Sequence, residues 1–346
     1  MTVMNLFFYV IRLYDVADVT GLLRQGANAL GVDLSLGYFG SRGIDVGPPQ
    51  FMLLLSVTTS DGRTEYYYSA AGTNAATSGG SSTALTFTAT AGPVDDAEFP
   101  YAEAFDGQLE AMLAGWSAPG YLSAGGPSWV PATVPAISPV TLGSRIVAHH
   151  QLITTDADYT PIAITEPGPQ GVFVVDYGQN MAGQVTLRLG PGRCPAGTVV
   201  SLFFAEILYP NGLVHDSFCE RPLYWKCAVR QWANYTCGGA AEGETYRVSS
   251  IYLGFRYVQI TGLPRSSRPA PTTLTAHFIH TELEKSGSFA SSSPLLNKIQ
   301  HATRYAGMSN AMDIPTDCPQ REKRGWLGDA RTFLTRSGLM VANRNL

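Results

Sequence analysis

The 346-residue chain predicts a multidomain, mostly β protein: two all-β blocks followed by a helical segment. Three observations predict it. Short apolar runs broken by Gly, Asp and Ser turns fill residues 1–130 and again residues 144–282. Residues 131–143 are Pro-rich and nearly uncharged, which suits a linker between the two blocks. From residue 283 the apolar period changes to that of a helix.

The first block is expected to start inside a strand. The run Met4 to Ile11 reads as the middle of a core strand, so this block is expected to be truncated at its start. Phe51 to Val57 and Tyr66 to Tyr68 read as strands around a Ser60-Asp61-Gly62 turn. Thr73 to Thr83 is poor in apolar side chains and reads as a flexible loop. Trp116 and Trp129 are assigned to the core. In the second block Val185, Leu187 and Leu189 alternate with polar neighbours, as a half-buried strand should. Val199 to Leu208 and Phe255 to Ile260 read as further strands. Asn180, Glu206 and Arg256 are assigned to hydrogen bonding at the edge of the core. In the third segment Ser293 is the expected N-cap and Pro294 the first helical residue. Leu295, Ile299, Ala302 and Ala306 fall on one helical stripe. Ala330 to Ala342 reads as a second helix.

Composition excludes several classes. Hydrophobic residues make up 45% of the chain, ample for buried cores. A net charge of −4 and a pI near 5.9 leave no basic footprint for nucleic acid. No apolar run is long enough to span a bilayer, so no membrane partner is expected. The N-terminal apolar patch has neither a basic lead nor a small-residue cleavage site and is not read as a signal peptide; compartment and oligomeric state stay open. Five cysteines, Cys194, Cys219, Cys227, Cys237 and Cys318, without paired C-x-x-C spacing argue against zinc and against a disulfide scaffold. The spacing of Cys219, Cys227 and Cys237 permits one bridge, and buried free thiols are the preferred reading. His149-His150 and His277 with His280 lack Cys or carboxylate partners at ligand spacing. No metal and no other cofactor is expected.

The polarity of the chain is concentrated in Asp313 to Asp329, DIPTDCPQREKRGWLGD. Seventeen positions hold four carboxylates (Asp313, Asp317, Glu322, Asp329) and three cations (Arg321, Lys323, Arg324) in a chain that is only 14% charged. Pro315 and Pro319 keep the first half out of a helix. Gly325 and Gly328 bracket Trp326 with turn-capable backbone. An ordered loop of this composition can grip a sugar: carboxylates and a guanidinium for hydroxyls, an indole for the C–H face, a further carboxyl as proton donor. From composition alone, a structural salt-bridge loop is the plainer reading.

Six strings then carry a resemblance to glycoside hydrolase family 78, the α-L-rhamnosidases. TDCPQREKRGWLGD resembles the family's TDCPQRDERLGWTGD and is one residue shorter between Arg321 and Trp326. YDVADVTGLLRQGANALGVDLSLGYFG resembles the N-terminal β-sandwich of the family. DYGQNMAGQVTLRLGPG, AEILYPNGLV and YLGFRYVQITGLP follow in the order of its concanavalin-like β-sandwich. GSFASSSPLLNKI resembles the first helix of its (α/α)6 barrel. Gln108 stands where the family has Glu, and no ligand role is assigned to that edge.

The resemblance implies two antiparallel β-sandwiches followed by the first helices of an (α/α)6 barrel, with inverting hydrolysis of terminal α-L-rhamnosides as the family's reaction. The partner it implies is a rhamnose-containing glycoside or polysaccharide. Carried over by position, Glu322 is the general acid, and Asp317, Arg321, Trp326 and Asp329 hold the rhamnose ring. Asp313, Lys323 and Arg324 lie outside the role-bearing positions and are assigned to structure, as is Cys318. A twelve-helix barrel needs on the order of 200 residues. The chain is therefore expected to be a fragment, with the general base beyond Leu346 and little activity alone. The rival reading is a non-catalytic carbohydrate-binding or interaction protein with a vestigial catalytic segment.

Overall fold

The computed structural model describes residues 11–35, 50–69, 82–96, 102–121, 128–133, 145–148, 152–215, 231–264, 267–285, 287–331 and 341–342. The strand expected before Ile11, nearly all of the Thr73 to Thr83 loop, most of the linker, His149-His150, Cys219 and Cys227 lie outside them. The chain forms two compact units.

The first unit takes in Met1–Leu34, Gln50–Gly92 and Met112–His150. Its described strands, numbered along the whole chain, form three small sheets. β1 (Ile11–Tyr14) runs parallel to β9 (Arg145–Ala148), β2 (Leu54–Thr58) joins β3 (Thr64–Ser69) and β4 (Ser82–Leu85), and β5 (Thr88–Ala89) pairs with β8 (Val130–Pro131). The β2–β3 hairpin closes at the expected turn: Thr59 N–H donates to Arg63 O and Gly62 N–H to Thr59 O, each at 2.9 Å. Trp116 stacks on Trp129 at 6.4 Å and Tyr121 meets Trp129 edge-on, but both tryptophans are only half-buried and neither joins a core cluster of the described residues, short of the core role expected.

The second unit takes in Ser35–Pro49, Pro93–Ala111 and Gln151–Leu346. Its centre is one ten-stranded sheet. The strands are β6 (Val94–Asp96), β7 (Ala102–Asp106), β10 (Ile153–Tyr159), β11 (Ala163–Thr165), β12 (Phe173–Leu189), β13 (Val199–Ala205), β14 (Gln231–Thr236), β15 (Glu244–Arg247), β16 (Leu253–Thr261) and β17 (Leu274–Thr281). Their order is β10-β17-β12-β16-β13-β14-β7-β6, with β11 and β15 also on β12.

β12 curls this sheet. Its register against β16 shifts between Asp176 and Met181. Gly178 sits in that shift at φ +73, a conformation glycine adopts without steric cost, and its N–H is taken by Asp176 Oδ1 at 2.7 Å. Before the bend β12 pairs with β11 and β16; beyond it the pairing with β16 continues through Gly183, and β17 and then β15 join. The all-β reading therefore holds; β9 apart, the described strands of the second block lie in a single curled sheet, which β6 and β7 of the first block join. The sheet is not wholly antiparallel: β7 runs parallel to β14, because its chain arrives from far upstream and not through a hairpin.

Val175, Val185, Leu187, Leu202, Phe204, Phe255, Ile260 and Phe278 are buried in one core cluster. Each contributes roughly 1.5–3 kcal/mol on burial. Thr186 departs from the expected half-buried alternation, for it is buried as well. Its hydroxyl meets His277 Nε2 at 2.7 Å, and His277 Nδ1 meets Asp158 Oδ1 at 2.6 Å. A polar ladder thus covers the second face of β12. Arg256 grips Asp176 through two bonds of 2.8 and 2.9 Å, and that guanidinium holds the Asp176 carboxyl below the usual carboxylate range. Asn180 Nδ2 donates to Glu206 Oε1 at 2.8 Å. All three assigned edge residues have that role.

Cys237 is not a free thiol. It is bonded to Cys194, 43 positions away, with Cα atoms 5.9 Å apart. The register of β13 on β14 pairs Val199 with Thr236 and so brings the flanks of both strands together. A bridge closing a loop of this size stabilises by about 4 kcal/mol in the chain-entropy account. Cys237→Ser is expected to lower the unfolding free energy by roughly 2–4 kcal/mol. Urea unfolding with and without reductant checks this, since reductant should erase most of the difference between wild type and variant.

Candidate active-site loop

A helix anchors the loop to the sheet. α2 spans Pro294–Ser309, after the short α1 (Gly107–Met112); Ser293 is its N-cap and Pro294 its first residue, as the sequence indicated. The stripe Leu295, Ile299, Ala302, Ala306 is not its buried face: Leu295 and Ile299 are 66% and 53% exposed, and both alanines are exposed. The last turn is what docks. Tyr305 stacks on Phe278 at 5.0 Å, and its hydroxyl is 2.8 Å from that of Tyr159. Met308 joins the core cluster, and Ser309 Oγ accepts from Ala182 N–H at 3.3 Å. The helix thus meets the sheet at one end only.

The chain then makes a tight hairpin, β19 (Ala311–Met312) on β20 (Ile314–Pro315). Asp313 turns it at φ +65, and its N–H donates to Thr281 Oγ1 at the end of β17, 2.7 Å away. Thr316 N–H donates to Asn310 O at 2.7 Å. Further on, Pro319 and Gln320 press on β16. A Cβ on Gly254 would sit 2.9 Å from Gln320 N and Cβ and 3.0 Å from Pro319 C. The backbone of Gly254 is held from the other side by Gln231, whose amide makes bonds of 2.7 and 2.8 Å to it. Gly254 permits that approach because it has no side chain.

The neck of the loop is closed by Asp317. Its N–H donates to Arg324 O at 3.0 Å, and its Oδ1 accepts from Arg324 N–H at 3.0 Å. Cys318 Sγ lies 2.9 Å from Asp317 Oδ2 and accepts from Glu322 N–H at 3.2 Å. Burial, then the bond to Asp317, pushes the Cys318 thiol up. Lys323 follows at φ +52 and is 1% exposed. Its Nζ donates to Tyr252 O and lies 4.7 Å from the Tyr252 ring centroid. Burial pulls the Lys323 amine down to about 7. Its assignment to structure agrees with this position.

Three of the five sequence-derived site residues meet. Glu322 Oε1 lies 3.2 Å from Arg321 NH2, and Oε2 accepts from Trp326 Nε1 at 3.0 Å. The Arg321 and Glu322 side chains are 43% and 39% exposed, and Trp326 is 46% exposed. The trio is thus ordered yet open to a ligand. Asp317 is next to it, but its carboxyl is engaged with Arg324 N–H and Cys318. Asp329 stands exposed in the helical turn 327–331 and takes no hydrogen bond or ion pair among the described residues. The second helix expected over Ala330 to Ala342 is helical only through Arg331 in the described part; Val341–Ala342 is a strand, β21, on β18 (Glu284–Lys285). No group of three metal-ligating side chains occurs among the described residues, and no helix among them is long and apolar enough to cross a membrane.

Most of the curled β-sheet, its docked helix and the carboxylate–guanidinium–indole loop fall within two matched glycosidase-family domains. Residues 167–280 match the bacterial alpha-L-rhamnosidase concanavalin-like domain, and residues 284–344 match the bacterial alpha-L-rhamnosidase 6 hairpin glycosidase domain. The chain belongs to the α-L-rhamnosidases of glycoside hydrolase family 78. It is 31% identical to an alpha-L-rhamnosidase of Streptomyces avermitilis over 92% of this chain and 28% of that protein. It is 29% identical to one of Formosa agariphila over 91% of this chain and 31% of that protein. It superposes on the alpha-L-rhamnosidase structure from Dictyoglumus thermophilum with a TM-score of 0.72 at 27% identity, covering 88% of this chain and 30% of that one. Against the Streptomyces avermitilis enzyme complexed with L-rhamnose the TM-score is 0.70 at 29% identity, covering 88% and 27%. The chain thus spans about three-tenths of the length of the curated relatives it matches.

Proposed function

We propose that Asp313 to Asp329 form the sugar-gripping, proton-donating side of an α-L-rhamnosidase active site acting on terminal α-L-rhamnosides. The observation that carries this is the Glu322 carboxyl held between Arg321 and Trp326 at an open surface. Glu322 is the general acid; Arg321, Asp317 and Asp329 meet ring hydroxyls and Trp326 meets the C–H face. A hydroxyl can displace either donor from Glu322 without leaving it unsatisfied. Residues 283–346 contribute the start of the (α/α)6 catalytic domain, 144–282 the concanavalin-like sandwich and 1–130 an N-terminal sandwich joined by the 131–143 linker. Support comes from the two family matches and from the likeness to the Streptomyces avermitilis enzyme, whose structure is a complex with L-rhamnose. Inversion needs a second carboxyl across the sugar, spaced to admit water. No residue of this chain is assigned to that base.

Calorimetric titration of the chain with L-rhamnose tests the reading, with Arg321→Ala as the control. Saturable binding that Arg321→Ala weakens supports it, together with negligible turnover of an aryl α-L-rhamnoside. Absence of binding to the wild-type chain overturns the sugar-binding role. Turnover well above background places the base within this chain and overturns that part of the reading.

A further inference from the structure

We propose that Lys323 is the positioning residue of this loop: its buried amine, tied to the Tyr252 carbonyl, holds the backbone reversal that turns the Glu322 carboxyl outward to Arg321 and Trp326. The inference rests on the sugar-site reading above for its functional consequence, though not for its geometry.

Three observations converge on it. First, Lys323 and Glu322 are consecutive and point opposite ways. Lys323 is 1% exposed, whereas the Glu322 side chain is 39% exposed. Second, the reversal between them is made at φ +52, a region that a lysine seldom adopts unless surrounding contacts enforce it. Third, the tether reaches the sheet where the loop already touches it. Lys323 Nζ meets Tyr252 O, and two residues on Gly254 bears against Pro319 and Gln320. The loop is therefore held at both ends of the Pro319 to Lys323 segment, and Glu322 projects from the segment so held. Both protonation states of the amine carry N–H donors, so the bond to the carbonyl survives either way.

A positioning role separates from a merely structural one because a buried amine is a poor source of global stability. Removing the buried amine relieves its desolvation but costs its bond to the Tyr252 carbonyl, two effects of opposite sign that largely offset each other. Lys323→Met is expected to leave the melting temperature unchanged or raised while the loop loosens. Cys318 reports the loosening from inside the loop, since its thiol is engaged by Asp317 and by Glu322 N–H. Iodoacetamide labelling of the native chain, read on the Cys318 peptide by mass spectrometry, should be about tenfold faster in Lys323→Met than in wild type. Lys323→Gly is the second variant. Glycine satisfies the positive φ but removes the tether, so it too should label fast. Should Lys323→Gly stay as protected as wild type, backbone conformation and not the amine holds the loop, and the proposal is overturned. Equal labelling in wild type and Lys323→Met overturns it as well, as does faster labelling seen only with a fall in melting temperature. On the functional side, L-rhamnose binding should weaken about tenfold in Lys323→Met. If the wild-type chain binds no rhamnose, the sugar-site reading fails while the labelling comparison still decides the tether.

Discussion

Glu322→Gln is expected to slow hydrolysis of natural rhamnosides by about two to four decades, the span of losing a general acid. The measurement belongs in a catalytically competent α-L-rhamnosidase carrying this loop. Size is conserved and the donor carboxyl is lost. The structure adds a complication. Glu322 receives one donor on each oxygen, from Arg321 at 3.2 Å and from Trp326 at 3.0 Å, and an amide can satisfy only one of them. Some loss through disordered side chains is therefore expected whatever the residue's chemical role. The dependence on leaving group separates the two effects. A phenolate with a low pKa needs little protonation, so an activated aryl rhamnoside should suffer far less than an alkyl rhamnoside, and the alkaline limb of the pH–rate profile should vanish. Arg321→Ala should instead damage both substrates alike, because the guanidinium would hold the ring in ground and transition states. Equal slowing of both substrates by Glu322→Gln, with the alkaline limb intact, would pass the acid role to Asp317 or Asp329.

Part of each unit was legible in the sequence because its signals are local. Ser293-Pro294 fixes the start of α2 through the geometry of a single turn, and Asp61-Gly62 fixes the β2–β3 hairpin in the same way. What escaped is non-local. Nothing in AEAFD says that β7 will lie parallel to β14, some 130 positions downstream. Cys194 and Cys237 are unremarkable in spacing until β13 and β14 come into register. The burial of α2 was misread for a related reason. Periodicity finds an apolar stripe, but the sheet receives only Tyr305, Met308 and Ser309, selected by a ring stack and by the Ala182 N–H just past the bend of β12. In the loop, residue types identified the Arg321–Glu322–Trp326 trio. They could not show that Lys323, in the middle of the most polar string in the chain, is among its most buried side chains. A lysine beside a glutamate ordinarily reads as solvated surface.

Glu103 offers the largest expected loss of stability. It lies on β7, is fully buried, and accepts from Tyr246 OH at 2.6 Å, from Ser250 N–H at 2.6 Å and from Ser249 N–H at 3.2 Å. One side chain thus ties the edge of the curled sheet to the β15–β16 connection. Glu103→Leu leaves three donors without this acceptor, among them the buried Tyr246 hydroxyl, and should cost about 3–5 kcal/mol, as loss of one partner from a buried polar network does. Glu103→Gln keeps an oxygen for the two N–H groups, and the Tyr246 hydroxyl can accept from the new amide, so its cost should be near 1 kcal/mol. The pH dependence of that second gap identifies the protonation state. Burial raises the Glu103 carboxyl above its ordinary 4.5, against the opposing effect of its three donors. A raised folded pKa means that the contribution to stability is full below 4.5 and is lost as pH rises through the folded value. Glutamine does not titrate, and Asp176, whose carboxyl is shifted the other way by Arg256, is common to both proteins and cancels. The stability advantage of wild type over Glu103→Gln, measured from urea midpoints, should therefore be largest at acid pH and shrink toward neutrality. A gap that widened with rising pH would mean that the three donors hold a charged carboxylate, with attraction outweighing desolvation at the centre of the sheet edge.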